Sequence, residues 1–400
     1  MDPENDDRKE EDGKKDDFIV TPWMVKGDVD YDKLVEEFGT SRIAPEIIEA
    51  FRRLTGEVHP FLRRRIFYSH RDLDEILRRY ENGEKFFLYT GRGPSGGVHL
   101  GHLIPWIFTK YMQDKFGSEL YFQMTDDEKY FTSDRLPLEK TQDLAMENTL
   151  DLIAIGFDPK KTFVFTDTGY MKTMYSIAAK VAKHTTLSTA KAVFGFENST
   201  DIGMIFFPAL QAATCFLPSV LKGYNIPCLI PAAIDQDPYW RGIAREVAPK
   251  LGFYKPAQVH SKFIPGLGQG GKMSASEPET AIFTTDSLQT VEKKVKSSFT
   301  GGRDTQVEQR LLGGRADHCP VYHYYYFLFE ENDFELKKIY DDCVGGQLLC
   351  GDCKTMLASR VKGFIKNHQE KREAAKAHLD EFIIEDSSGG LTKRSETKIG

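Results

Sequence analysis

Hydrophobic and polar positions change rhythm twice along this chain. From residue 86, short apolar runs at 86–90, 119–124, 162–166, 227–234 and 257–264 alternate with helical periodicity at 103–115, 138–155, 170–183 and 239–250. Unbroken apolar runs of that length fit strands buried on both faces, and their alternation with helices implies crossover units and a parallel sheet. Beyond about residue 300 the periods at 305–311, 320–330, 333–343, 345–366 and 367–385 are all helical. Ahead of the alternating region, FIVTPWMVKGDVDY (18–31) is β-rich with Gly27-Asp28 as its expected turn, and helices are expected over 32–38, 44–54 and 70–82. The fold class is therefore α/β: a Rossmann-like parallel-sheet domain, then an all-α domain, with an N-terminal β-hairpin/helical extension. The expected divisions are a disordered acidic tail at 1–17, the extension at 18–84, the sheet domain at 85–300, the helical domain at 301–386 and a flexible tail at 387–400.

Chemistry concentrates in two strings. GRGPSGGVHLGH (91–102) follows the first apolar run and opens a helix. A strand, a glycine-rich turn and a helix N-terminus make a cradle in which backbone N–H groups meet phosphate, with Gly91, Gly93 and Gly101 allowing close approach. His99 and His102 fall on one helix face, suited to donating to phosphate oxygens, and Arg92 precedes the turn. KMSAS (272–276) places Lys272, Met273, Ser274 and Ser276 in a glycine-rich loop, a mobile clamp for a triphosphate. Read alone, a histidine pair is more often structural and a loop lysine more often solvated; their order and separation change that reading.

The two strings resemble the HIGH and KMSKS signatures of the class I aminoacyl-tRNA synthetases. QMTDDEKY (123–130), FPALQAA (207–213) and AIDQDPY (233–239) further resemble the tryptophanyl family in its eukaryotic and archaeal form, over about residues 18–385. The resemblance implies an enzyme that activates tryptophan with ATP and Mg2+, then charges the 3′-terminal ribose of its tRNA, with the helical domain binding the anticodon. It implies that Tyr89 and Gln123 accept from the indole N–H, that Glu128, Gln211 and Gln236 hold the α-amino group, and that Asp235 contacts ribose or fixes its loop. It also implies a homodimer in the cytoplasm, and an N-terminal segment with Thr21, Pro22 and Trp23 that folds over ATP. Ala275 stands where the family's second lysine would be, which tryptophan-specific relatives share. A tyrosyl enzyme, a small-molecule nucleotidyltransferase and a non-catalytic descendant are the alternatives. Intact His99, His102 and Lys272 argue against the last.

Composition qualifies this picture without redirecting it. Net charge is −7, of which residues 1–17 carry −5, so the remainder is nearly neutral and compatible with a local basic face. Arg360, Lys362, Lys366, Lys371, Arg372 and Lys376 are candidates for that face; a solvated helix is the plain alternative. No apolar run is long enough to span a membrane and the start is too acidic for a targeting peptide, so the expectation is no membrane contact. Cys319, Cys343, Cys350 and Cys353 have the spacing C-x23-C-x6-C-x2-C, suggesting an iron–sulfur cluster or zinc, or else reduced cytosolic thiols. A subset of bacterial tryptophanyl enzymes is similar here. Cys215 and Cys228 lie in apolar runs and read as core.

Overall fold

The computed structural model describes residues 19–20, 25–26, 29–275 and 277–397. A small antiparallel pair, β1 (Ile19–Val20) and β2 (Val25–Lys26), precedes the main sheet. That sheet holds β3 (Ser41–Arg42), β4 (Phe67–Arg71), β5 (Phe87–Arg92), β6 (Leu120–Met124), β7 (Thr162–Thr166), β8 (Cys228–Ala233) and β9 (Ala257–Ser261). Its order is β3-β4-β9-β8-β5-β6-β7; β5 to β9 run parallel, while β3 and β4 are antiparallel. The chain moves from β5 outward through β6 and β7, then returns to the other side for β8 and β9. The carboxyl ends of β5 and β8 thus flank the reversal point, where open α/β sheets bind ligands.

Alternation along the strands explains the apolar runs. Phe87, Tyr89, Tyr121 and Phe163 enter one layer beneath the Met171–Lys183 and Ile202–Ala213 helices. Leu88, Phe122 and Val164 enter the opposite layer with the Leu100–Phe116 helix. This second core continues without a break from Phe51 in the N-terminal helices to Tyr324 and Val361 in the C-terminal ones. The extension contributes two strands to the sheet, and the Cys350–Ala375 helix packs against the Leu138–Ile155 and Leu288–Ser297 helices.

The structure differs from the sequence reading at several places, each with a physical reason. The helix expected over 70–82 begins only at Leu73, because β4 occupies 67–71. Its buried polar residues hide it: Ser69 bonds His260 of β9 at 3.0 Å, and His70 accepts from the Leu73 N–H. In the N-terminal pair, Val20 opposes Val25, so the connection lies between them and not at Gly27-Asp28; Thr21, Pro22 and Trp23 are outside the described residues. Leu187–Phe194, Ile202–Ala213 and Leu217–Lys222 are helices that the apolar pattern did not separate. The two helices expected over 345–385 are one, Cys350–Ala375, followed by a 3-10 turn.

Part of the stretch expected as a flexible tail from 387 is packed, through Lys393 and Arg394. Val164 of edge strand β7 donates to the Phe382 carbonyl at 2.8 Å and accepts from Ile384 at 2.9 Å. Lys393 is buried and donates to the Thr162 carbonyl. Asp386 accepts from the N–H groups of Lys172 (2.5 Å) and Thr173 (2.9 Å), capping a helix whose own Tyr170 supplies no side-chain bond. Replacing Asp386 by alanine is expected to lower the unfolding free energy by about 1–2 kcal/mol, as for other caps, read as a lower denaturant midpoint at unchanged slope.

Candidate active site

Two backbone hydrogen bonds bring the arms that carry the two strings together. Leu100 donates to Ile282 at 3.0 Å, Thr284 donates to Val98 at 2.9 Å, and His99 bridges Phe283 in antiparallel register. The Lys272 loop folds back on the segment after β9, with Met273 donating to Ile264 at 3.2 Å and Pro265 paired with Lys272. Between these arms, at the carboxyl ends of β5, β6, β8 and β9, lies a cleft of about 410 Å³. Tyr89, Gly91, Arg92, Gly93, His99, Gly101 and His102 line it from the first string and its strand. Gln123, Glu128, Gln211, Asp235 and Gln236 line it from the middle segments, and Lys272, Met273 and Ser274 from the loop. Ser276 lies outside the described residues.

The imidazoles are held in one tautomer. His99 Nδ1 accepts from the Gly101 N–H at 3.2 Å, and His102 Nδ1 accepts from the His99 N–H at 3.1 Å. Each ring therefore carries its proton on Nε2, and the rings stack with centroids 3.6 Å apart. Burial, with Arg92 and Lys272 nearby, pushes His99 down to about 3 and His102 well below the usual histidine range. Both are neutral donors. Gly101 suits this pair, since a Cβ there would sit a tight 3.0 Å from the His99 ring.

Arg92 is buried and spent on the turn: its guanidinium donates to Asn148 and to the carbonyls of Gly96 and Gly97. Desolvation lowers it to about 10. Lys272 Nζ donates to Asp235 Oδ2 at 3.0 Å and lies 4.9 Å from the Phe263 ring centroid. Lys262 and Lys129 also line the cleft, cations the sequence reading did not single out. Lys129 pairs with Glu128 at 2.6 Å, and Gly93 makes room, since a Cβ there would lie 2.0 Å from the lysine chain.

At the apolar end the Tyr89 hydroxyl donates to Gln123 Oε1 at 2.5 Å, within 3.2 Å of the Gln211 carbonyl. The Thr214 hydroxyl donates to the same Gln123 oxygen at 2.9 Å. Trp240 stands edge-on to Tyr89. Trp240 and Phe207 also escaped the sequence reading, because nothing local distinguishes a pocket aromatic from a core one.

The cysteine expectation is corrected. All six thiols are free, and among the described residues no group of three or more His, Cys, Asp or Glu side chains could hold a metal ion. Cys343 and Cys353 are pushed up to about 11 and 12, chiefly by burial and then by neighbouring thiols. Cys215 and Cys228 are core residues, as expected. Most of the candidate basic face is paired: Arg360 with Glu330, Lys362 with Glu292, Arg372 with Glu147 and Asp151.

Residues 81–366 match the family model for the class I tRNA synthetases (W and Y). A tryptophan–tRNA ligase from Pyrobaculum calidifontis is 51% identical over 367 residues, covering 92% of this chain and 98% of its own. One from Pyrococcus abyssi is 52% identical over 369 residues, covering 92% and 94%. The crystal structure of Plasmodium falciparum tryptophanyl-tRNA synthetase aligns with a TM-score of 0.83 at 39% identity, over 88% of this chain and 97% of that one.

The buried histidines carry a spectroscopic expectation. A depressed pKa keeps the neutral ring dominant well below pH 6.5, so 15N NMR of the free protein should find both imidazoles as Nε2–H tautomers from pH 8 down to about pH 5. Ring protonation between pH 6 and 7 would contradict the hydrogen bonding described.

Proposed function

The chain belongs to the class I tRNA synthetases (W and Y), and we propose that its cleft performs the two steps of a tryptophan–tRNA ligase. The tryptophan carboxylate attacks the α-phosphorus of ATP and pyrophosphate leaves; a hydroxyl of the tRNA's 3′-terminal ribose then attacks the carbonyl of the aminoacyl-adenylate and AMP leaves. The observation that carries this reading is the backbone ladder joining Val98–Leu100 to Ile282–Thr284, which sets a neutral histidine pair and a lysine loop on one cleft.

Phosphoryl transfer of this kind needs placement and charge stabilisation, with no protein nucleophile. The Nε2–H groups of His99 and His102 donate to phosphate oxygens as charge builds. Lys272 exchanges Asp235 for the β- and γ-phosphates, and the Ser274 hydroxyl adds a polar contact. Asp235, so released, faces the ribose hydroxyls. Gly91, Gly93 and Gly101 keep the floor low, while the buried Met273 anchors the moving loop. Arg92 acts through the turn it braces. Magnesium bound with the triphosphate would offset its charge, alongside Lys272 and the His99–His102 pair.

At the other end, Glu128 with Gln211 and Gln236 receives the α-ammonium. The Tyr89 hydroxyl donates its one hydrogen bond to Gln123, so its oxygen is left to accept the indole N–H. A phenol hydroxyl both donates and accepts, so a site built around the single indole N–H disfavours tyrosine. The helical domain (301–386) takes the anticodon end of the tRNA.

A homodimer is part of the reading. Tyr130, Tyr175 and Ile202 are 47%, 58% and 85% exposed around the Met171–Lys183 and Ile202–Ala213 helices, and Tyr175 packs on Phe206. An apolar patch of this composition suits a second copy. Six free thiols and the absence of any helix long and apolar enough to cross a membrane, among the described residues, fit a cytoplasmic setting.

Two outcomes are expected. Lys272→Ala should lower kcat for tryptophan-dependent ATP–pyrophosphate exchange on the order of 100-fold while moving the KM for tryptophan less than about threefold. Exchange equal to the wild type, or exchange supported by tyrosine in place of tryptophan, would overturn the assignment. Ile202→Asp should convert a dimer to a monomer in light scattering.

A further inference from the structure

Beneath the tryptophan end of the cleft lies a buried carboxyl pair that the reaction itself does not use. Gln123 is fully buried, and its amide could be seated either way round. Its Nε2 donates to Asp167 Oδ1 at 2.6 Å, while its Oε1 accepts from the hydroxyls of Tyr89 and Thr214. Asp167, just past the end of β7, is fully buried and anchored through its own N–H to the Met124 carbonyl at 3.1 Å.

The second oxygen of Asp167, Oδ2, has no hydrogen-bond donor, and the Asp127 carboxyl is a close, interacting neighbour of the Asp167 carboxyl. Two ionised carboxylates facing each other in so dry a place repel; one proton between them makes a bond and satisfies the orphaned oxygen. The remaining neighbours do not compensate the charge. Asp126 is occupied by the Thr168 N–H and hydroxyl, Glu128 pairs with Lys129, and Tyr89 is a neutral phenol. Burial raises the Asp167 carboxyl well above its ordinary range and pushes Asp127 up to about 6, the direction that keeps one proton in the pair near neutrality.

We propose that Asp167 is a positioning residue for amino-acid selection: through a proton shared with Asp127 it seats the Gln123 amide so that Tyr89 must donate to Gln123 and present its lone pair to the indole N–H. This rests on the tryptophan reading above and deepens it. Without the Asp167 acceptor the amide can turn over and offer its NH2 to Tyr89. The phenol proton then points at the indole N–H, donor against donor. The neutral pair is present below its pKa and lost as pH rises through it, so recognition weakens on the alkaline side.

The experiment is tryptophan-dependent ATP–pyrophosphate exchange by the full chain, wild type against Asp167→Asn and Asp167→Ala, from pH 6.5 to 9.5. Asparagine can accept from Gln123 and donate to Asp127, reproducing both bonds of the protonated acid without a titrating proton. Asp167→Asn should keep the wild-type KM for tryptophan at pH 7 within about twofold. Asp167→Ala should raise that KM about tenfold, one lost hydrogen bond's worth, with kcat changing less than threefold. The ratio of wild-type to Asp167→Asn KM should climb at alkaline pH, which cancels titration of the substrate itself.

An Asp167→Asn variant as impaired as Asp167→Ala at pH 7 would overturn the shared proton; a flat KM ratio across pH would overturn the proposal even if Asp167→Ala does not fold. Wild-type protein with no tryptophan-dependent exchange would overturn the functional reading and this proposal together. Active wild type with an unchanged Asp167→Ala KM would overturn the proposal alone.

Discussion

The short antiparallel contact between Val98–Leu100 and Ile282–Thr284 is the constraint on which the site depends. Closing a loop of that length costs entropy whatever holds it, and here the sheet has already met most of that cost by setting β5 and β9 two strands apart. What the backbone bonds add is register. They fix which residue of the returning arm lies beside the first turn of the Leu100–Phe116 helix, and hence where Lys272 can reach. Because the ladder is main-chain, it tolerates side-chain change in 282–284 but not a shift by one residue.

Burial sets the electrostatic character of the cleft. Its histidines are neutral because a charged ring would be stranded beside Arg92 and Lys272. Behind the Asp235–Gln236 turn, Asp237 is fully buried and meets Arg71 at 2.5 Å, while Arg71 also donates to the carbonyls of Phe38 and Gly39. Arg241 adds a bond to Phe38. The N-terminal extension is thereby tied to the loop that carries Asp235, so two strands foreign to the parallel core belong physically to the site.

How much of this was legible follows from where the determining forces act. The five parallel strands were readable because strands covered on both faces must be apolar throughout, and the Leu138–Ile155 helix was predicted over the same residues. β4 was not, since Ser69 and His70 owe their burial to His260 far along the chain. The site residues named from motifs gather around one cleft, apart from Ser276 outside the described residues. Arg92 was placed but its partner Asn148 was not, because that residue comes from a helix with no motif. Asp167 left no local sign at all: an aspartate after a strand reads as a turn residue until Gln123 is seen above it. The cysteine spacing suggested ligation, and the fold forms no metal-holding group from these side chains among the described residues.

The C-terminal strap over β7 bears on how the chain reaches this state. Lys393 grips the Thr162 carbonyl across 231 residues, and Val164 is bonded through both its N–H and its carbonyl by the same strap. At synthesis rates of ~5–20 residues per second the outer strand waits roughly 10–45 s on the ribosome before its cover emerges. Through that interval an apolar strand presents unpaired N–H and C=O groups, the sort of edge that recruits other chains. The nascent protein is therefore most in need of shielding late in translation, after its ligand site has been assembled and before its last helix turn is made.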